Sequence, residues 1–364
     1  MKLTWPVPVY PYQDELLSSW LVRAALVHGC EPMSLTSALW PGWRSWTMDI
    51  DRYLVEERLQ SLSLSSGLRR DEISVMTLLH HLDGRVFING RSPSLLSWVI
   101  AIGSRNRQHK MGVQCCPDCL RASEPYFRWQ WRLAWYTCCP EHQRELVGNC
   151  PACQTPIQYH RVSAQTPHIG ICFSCGYDFR GAETPRVETD KIGFQELASR
   201  VFESGTVDWG TRQIPSVDWF VLVKLLINLI RRSVTRHLHA HSHVADFVQS
   251  TGIDLASIQL PPTRLSIELL PITQREPLFA AAAHMLSLGS DDLLQLLKDS
   301  GVSRNTLIDN MSACPDSLTD WLSGLPDNRV QHPRRARHLS HLPKSKEVVR
   351  YEWARLLRRQ GLLP

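Results

Sequence analysis

Nine of the eleven cysteines in this 364-residue chain lie between Cys115 and Cys175. They fall into half-sites two residues apart. Cys116 and Cys119 form one, and after 19 intervening residues Cys139 and His142 form the next. Cys150 and Cys153 follow, and after 18 intervening residues come Cys172 and Cys175. A two-residue gap lets both side chains of one tight turn face the same ion, and two such turns complete a tetrahedron. The pattern predicts two structural Zn2+ ions per chain. One would be held by Cys116, Cys119, Cys139 and His142, the other by Cys150, Cys153, Cys172 and Cys175. Cys115 and Cys138 sit beside proposed ligands and could shift the register by one. The two-residue spacing favours Cys116 and Cys139 and leaves their neighbours as packed or spare thiols.

Competing chemistries fit less well. Disulfides need an oxidising compartment, and the first 25 residues carry Lys2, Asp14, Glu15 and Arg23 in place of the unbroken apolar run of an export signal. A reducing, cytoplasmic location is therefore expected. A redox dithiol would explain one Cys-x-x-Cys, not three in register with a Cys-x-x-His. A zinc deaminase pairs Pro-Cys-x-x-Cys with an upstream His-x-Glu. Here proline follows the first cysteine, as Pro117 and Pro151, and the His-x-Glu is missing. A zinc hydrolase or nuclease keeps an open metal position, whereas each set here already supplies four ligands. The eight residues read as scaffold, with no catalytic residue.

The elements that must position them are mainly helical, and the length allows two or three domains with a proper core. An N-terminal helical, helix-turn-helix-like domain is expected over residues 1–105, a tandem zinc-finger or zinc-ribbon module over 106–185, and a helical domain with a basic tail over 186–364. Proline and aromatics fill residues 1–13, after which Asp14 is placed to cap a helix with Leu16, Leu17, Trp20, Leu21, Ala24 and Ala25 at helical spacing, stopped by Gly29. A short helix is expected over 32–39. Further helices are expected over 49–61 and 71–82, with 62–70 as a linker. Trp40, Trp43 and Trp46 either fill the small N-terminal core or dock a partner, since aromatics are enriched at interface hot spots. A hairpin-like stretch at 84–92 and a basic connector at 104–110 lead into the metal region. Residues 124–137 (EPYFRWQWRLAWYT) interleave aromatics with Arg128 and Arg132. They read as a helix packing its aromatic face on the knuckles with solvated arginines, or as a nucleic-acid stacking surface.

The C-terminal part offers a buried helix over 218–232 and a histidine-rich run at 236–243, read as an exposed polar turn in preference to a third metal site. The sequence SDDLLQLLKDSGVSRNTLIDN carries the best helix-turn-helix signature. Ser290 or Asp291 would cap the first helix, and Ser303 the second. Arg304 and Asn305 stand where such units contact bases or phosphates, although the same unit also docks proteins. The formal net charge is +5, but residues 329–364 hold ten Lys or Arg against two Glu, a formal +8, which leaves about −3 elsewhere. Within the tail, Arg334, Arg335, Arg337, Lys344 and Lys346 are dense enough for nucleic acid or an acidic protein.

These residues resemble the TniQ family of transposition target-selection proteins. The resemblance rests on the proline-rich start followed by DELLSSWLVRAA, and on CCPDCL…YFRWQW…CCPEHQRELVGNCPAC…GICFSCG, and it covers residues 1–180. The length and the Cys-Cys-Pro-x-Cys-Leu start look most like members from CRISPR-associated transposons that use a type I-F Cascade. Longer, TnsD-like members carry extended DNA-binding regions. The resemblance implies a non-enzymatic, head-to-tail homodimer docked on the Cas subunits of guide-RNA-bound Cascade, which recruits the AAA+ ATPase TnsC for RNA-guided DNA insertion. It also matches the two zinc-ligand sets named above. The strong helix-turn-helix and the basic tail leave room for direct contact with target DNA, as in a stand-alone sequence-specific target-site selector.

Overall fold

A computed structural model describes residues 4–87, 96–100, 112–122, 124–187, 189–236, 242–260, 265–308 and 314–327, with 349, 350, 353, 354 and 357 beyond them. The chain divides into a compact unit from Met1 to Pro326 and a second from Asp327 to Pro364. In the second unit, residues 349, 350, 353, 354 and 357 are helical, and Val349 and Trp353 are exposed. The architecture is mainly helical. No helix among the described residues is long and apolar enough to cross a membrane.

The N-terminal segment folds where its apolar spacing dictates. Helix α1 (Leu17–Val27) buries Leu17, Trp20, Leu21, Ala24 and Ala25 along one face, and Gly29, at φ +63, turns the chain out of it. Pro32 opens α2 (Pro32–Leu39), where a missing N–H costs nothing. Helices α3 (Glu56–Ser66), α4 (Arg70–Val75) and α5 (Leu78–Leu82) follow. Helices α1 to α4 share a small core with Trp5, Trp40 and Ile50, while Leu78 and Leu82 of α5 join the larger one.

The larger core runs from Leu16 to Leu325 and takes in Cys116, Cys119, Cys139, Cys150 and Cys172. After α6 (Pro117–Ala122) and the short hairpin of β1 (Cys138–Cys139) and β2 (Arg144–Glu145), the chain turns helical again with α7 (Thr189–Ser204). A second hairpin, β3 (Thr206–Trp209) and β4 (Arg212–Pro215), leads into α8 (Ser216–Arg236). Helix α8 packs on α9 (His243–Ser250) and α10 (Ile272–Ser287). It buries Trp219, Phe220, Leu222, Val223, Leu226, Ile227 and Ile230 along a broad apolar face, with half-buried Lys224, Asn228 and Arg231 on the other. Its Lys224 reaches buried Glu268 at 2.6 Å. Helices α11 (Ser290–Asp299), α12 (Arg304–Ile308) and α13 (Asp316–Leu322) close the unit.

Several local expectations change. Asp14 does not cap α1: its own φ is +60, its carbonyl accepts Trp129 N–H at 2.9 Å, and its carboxylate accepts the Trp129 indole N–H at 3.1 Å. The helix expected over 49–61 begins only at Glu56, because Asp49 and Asp51 are drawn into an ion pair with Arg132. The expected linker at 62–70 is partly helix, ending at Gly67 in the left-handed region. The helix over 71–82 breaks at Met76, whose carbonyl accepts Leu17 N–H. Gly289, not Ser290 or Asp291, precedes the first residue of α11.

The largest change concerns residues 124–137. They form an extended strap around one 3-10 turn, Trp129–Arg132, and not a helix. On one side Leu16 N–H and Trp129 N–H bond across to Phe127 and Asp14, and on the other Ile100 N–H and Ala134 N–H bond across to Arg132 and Trp98. Arg132 is not solvated but wholly buried. The expected hairpin is described only to residue 87, and the connector at 104–110 and histidines 237–241 lie outside the described residues.

Candidate metal centres

The first centre is assembled from α6 and the β1–β2 hairpin. Cys116 precedes α6 and Cys119 lies in its first turn, with Leu120 N–H bonded to the Cys116 carbonyl at 3.1 Å. Pairing of Cys139 with Arg144 sets the turn that presents His142. The His142 atom that faces the thiols is Nδ1, which lies 3.7, 3.4 and 3.5 Å from the Sγ atoms of Cys116, Cys119 and Cys139. Cys119 and Cys139 Sγ are 3.6 Å apart.

The second centre gathers Cys150, Cys153, Cys172 and Cys175, with Cys150 to Cys175 at 3.6 Å and Cys153 to Cys172 at 3.7 Å. In each group all four donor atoms lie within 4.8 Å of one another. A tetrahedral zinc with Zn–S near 2.3 Å requires sulfur–sulfur edges of about 3.8 Å. The donor chemistry and the spacing therefore both fit a tandem zinc-binding module. Bound there, zinc would cross-link the turns, and four protein ligands would leave no open position for chemistry.

Three of the four knuckles share one backbone device. The residue after the second ligand adopts positive φ, at Gln143 (51), Gln154 (58) and Gly176 (77), and its N–H bonds back to the carbonyl of the first ligand at 2.8–2.9 Å. This curl points both ligands of a half-site the same way. In the first centre, crowding divides the thiol protons unevenly. Hydrogen bonds with Cys116 and then Cys119 hold Cys139 far below the ordinary thiol range, while contacts with Cys116 and Cys139 push Cys119 far above it. Were a dication held among them, all three thiols would be deprotonated and that conflict would vanish.

The neighbouring thiols stand apart. Cys115 pairs its backbone with Val147 in both directions, and burial pushes its thiol up. Burial likewise pushes Cys138 up to about 12, and its Sγ sits 3.6 Å from Gln195 Oε1. Gln195 also accepts from Thr137 and Cys138 N–H and donates to the Cys138 carbonyl, which fixes α7 on β1.

Around the first centre, Asp118 of α6 pairs with Arg144 beyond His142 at 2.8 Å, tying the two half-sites independently of metal. Glu141 pairs with Arg128 and lies 3.8 Å from Cys119 Sγ.

Sequence reasoning missed the polar network behind this centre. Arg132 meets Asp51 at 2.7 Å and Asp49 at 2.6 Å, and donates to the Ile100 carbonyl at 2.7 Å. Asp51 accepts Ser18 N–H and Oγ–H, and Ser18 Oγ shares a hydrogen with Tyr159 at 2.5 Å. Burial pushes Asp51 upward, and the Arg132 guanidinium pulls it back. The available signal was an arginine set inside an otherwise apolar WQWRLAW run.

The other candidate residues are placed as follows. Trp40 is buried, with its indole N–H on the Arg58 carbonyl at 3.3 Å. Trp43 is half-buried, with the Arg58 guanidinium 3.9 Å above its ring. Trp46 is half-buried, bonds Thr36 Oγ1 at 3.1 Å and stacks on His160 at 5.1 Å. Arg304 and Asn305 are half-buried at the head of α12, and Arg304 N–H bonds the Pro326 carbonyl at 3.1 Å. Arg334, Arg335, Arg337, Lys344 and Lys346 lie outside the described residues.

Fold and donor sets together define a mainly helical protein built around two closed, zinc-type structural centres. Residues 6–146 match the model of the TniQ family. The match covers less than half of the chain and contains the whole first centre. The second centre lies beyond it. A comparison with curated proteins found no match.

Proposed function

We propose that this chain is a non-enzymatic target-selection adaptor of a DNA transposon. In this reading a homodimer, acting in the bacterial cytoplasm, links the Cas subunits of guide-RNA-bound Cascade to the AAA+ ATPase TnsC for RNA-guided insertion. Residues 1–105 dock the partner, 106–185 form a zinc-bound joint through the eight ligands, and 186–364 present the basic, helical side. The carrying observation is the TniQ match over residues 6–146, which encloses a complete four-ligand centre. Trp43 and Trp46, half-buried, are the docking candidates on the N-terminal side, with Trp40 beneath them as support. Co-purification with Cascade subunits in the absence of DNA is the test. A chain that never co-elutes with them sinks the proposal.

A second reading, a stand-alone sequence-specific DNA binder, is favoured by the α11–α12 pair with Arg304 and Asn305 heading the second helix. It expects nanomolar, salt-sensitive binding to one duplex, weakened by Arg304→Ala. Binding that ignores sequence counts against it.

A further inference from the structure

The two centres differ in how far their sulfurs are exposed. In the first, Cys116, Cys119 and Cys139 are 0%, 6% and 1% exposed. In the second, Cys150 and Cys172 are buried, but Cys153 is half-buried and Cys175 is open to solvent. The cross-links differ too. The first centre keeps the Asp118–Arg144 ion pair between its half-sites. The second has the Arg161 guanidinium over the Phe173 ring at 4.2 Å, a weaker tie than a partly buried ion pair.

We infer that the second cluster is a thiol-redox site at which hydrogen peroxide releases the metal and loosens the N-terminal half of the compact unit. This rests on reading the clusters as zinc centres. The exposed Cys175 sulfur attacks the peroxide O–O bond, forms a sulfenic acid and releases water. Cys150, whose Sγ is already 3.6 Å away, displaces the hydroxyl and closes a disulfide. Two thiolates give up two electrons, the peroxide takes them, and two solvent protons complete two waters. The sulfurs must close to about 2.05 Å, a shift that a surface knuckle can absorb. With two of four ligands gone, the zinc leaves.

The consequence follows from what the intervening segment carries. Between Cys153 and Cys172 lie Tyr159 and His160, in a 3-10 turn (Tyr159–Arg161) packed on α1 and α2. Tyr159 bonds Ser18 of α1 and packs against Phe127 at 4.3 Å, while His160 stacks on Trp46. Metal at the second centre closes the loop that presses this turn home. Oxidation keeps the outer ends joined as the Cys150–Cys175 disulfide but frees Cys153 and Cys172, the inner ligands that border the turn, and leaves the first centre shut.

The test is titration of the full, zinc-loaded chain with hydrogen peroxide. Released zinc is read with a chromogenic chelator, disulfides by peptide mass spectrometry, and local opening by hydrogen exchange. The expected result is release of one zinc per chain, a Cys150–Cys175 disulfide, unmodified Cys116, Cys119 and Cys139, and faster exchange across 154–171 and α1. Thiol reductant plus zinc should reverse it. Cys175→His keeps four zinc-competent ligands and should slow release by about ten-fold or more. Parallel release from both centres, oxidation beginning at the first, or no release short of global unfolding would overturn the inference alone. Fewer than two zinc ions per chain before oxidation would overturn the metal reading beneath it.

Discussion

Arg132 is a charge taken wholly out of water and set between Asp49 and Asp51, with Asp51 equally buried. Removing one partner of such a group strands the others without solvent, so Arg132→Met should cost about 3–5 kcal/mol. The double variant with Asp51→Asn should recover part of that loss, because it removes one of the two stranded charges. Urea midpoints of the two singles and the double give the coupling, and strict additivity would rule the network out. His160 supplies a pH prediction. Burial, and then the charge of Arg161, push its pKa from the ordinary 6.5 to about 4. Between those values the unfolded chain holds the proton and the folded chain does not. Its stabilising contribution is therefore full above pH 6.5 and is lost as pH falls toward 4, by on the order of 2–3 kcal/mol. His160→Phe keeps the stack on Trp46 and should lose less stability between about pH 7.5 and 4.5 than the wild type. Equal acid losses in the two proteins would exclude this role.

The knuckle is the element that the metal reading depends on. Cys150→Ser or Cys172→Ser should halve the zinc content and unfold the central module, since metal contributes on the order of 10 kcal/mol to folding in small zinc units. Unchanged melting would remove the structural role. The left-handed position after the second ligand in three of the knuckles makes a subtler prediction. Gln154, at φ +58, is strained where glycine would not be, so Gln154→Gly should stabilise by about 0.5–1 kcal/mol, read from thermal melting at constant zinc. These knuckles were legible in the sequence because their ligands are three residues apart and need only local geometry. Helices α1, α2 and α8 were legible for a similar reason, through apolar spacing, Gly29 and Pro32. The strap over 124–137 was not. Its aromatic density suits a helix and an extended segment equally, and the backbone partners that decide the matter lie at 14–16 and 98–100. The start of α3 was misjudged for the same cause, since Asp49 and Asp51 answer to an arginine more than 80 positions away.

For the whole molecule, charge is concentrated past the compact unit that ends at Pro326. Deleting residues 329–364 removes a formal +8. Zinc content and melting should hold, while affinity for non-specific duplex DNA should fall and lose its salt slope, each lost phosphate contact reducing that slope by about 0.9. An unchanged slope would move any nucleic-acid contact to the α11–α12 region. The strap carries a different kind of consequence, for the order in which the protein is made. Asp14 and Trp129 are 115 positions apart, yet each completes the other's hydrogen bonding. At ordinary translation speeds α1 waits on the order of ten seconds for its partner to leave the ribosome. The face of α1 that packs with Leu35, Ile50 and Leu62 can be covered early, whereas Leu16 and Val22, which belong to the larger core, wait through that interval. Cys139 and His142 emerge directly behind the strap, so the N-terminal half and the first knuckle pair become able to close almost together on the nascent chain.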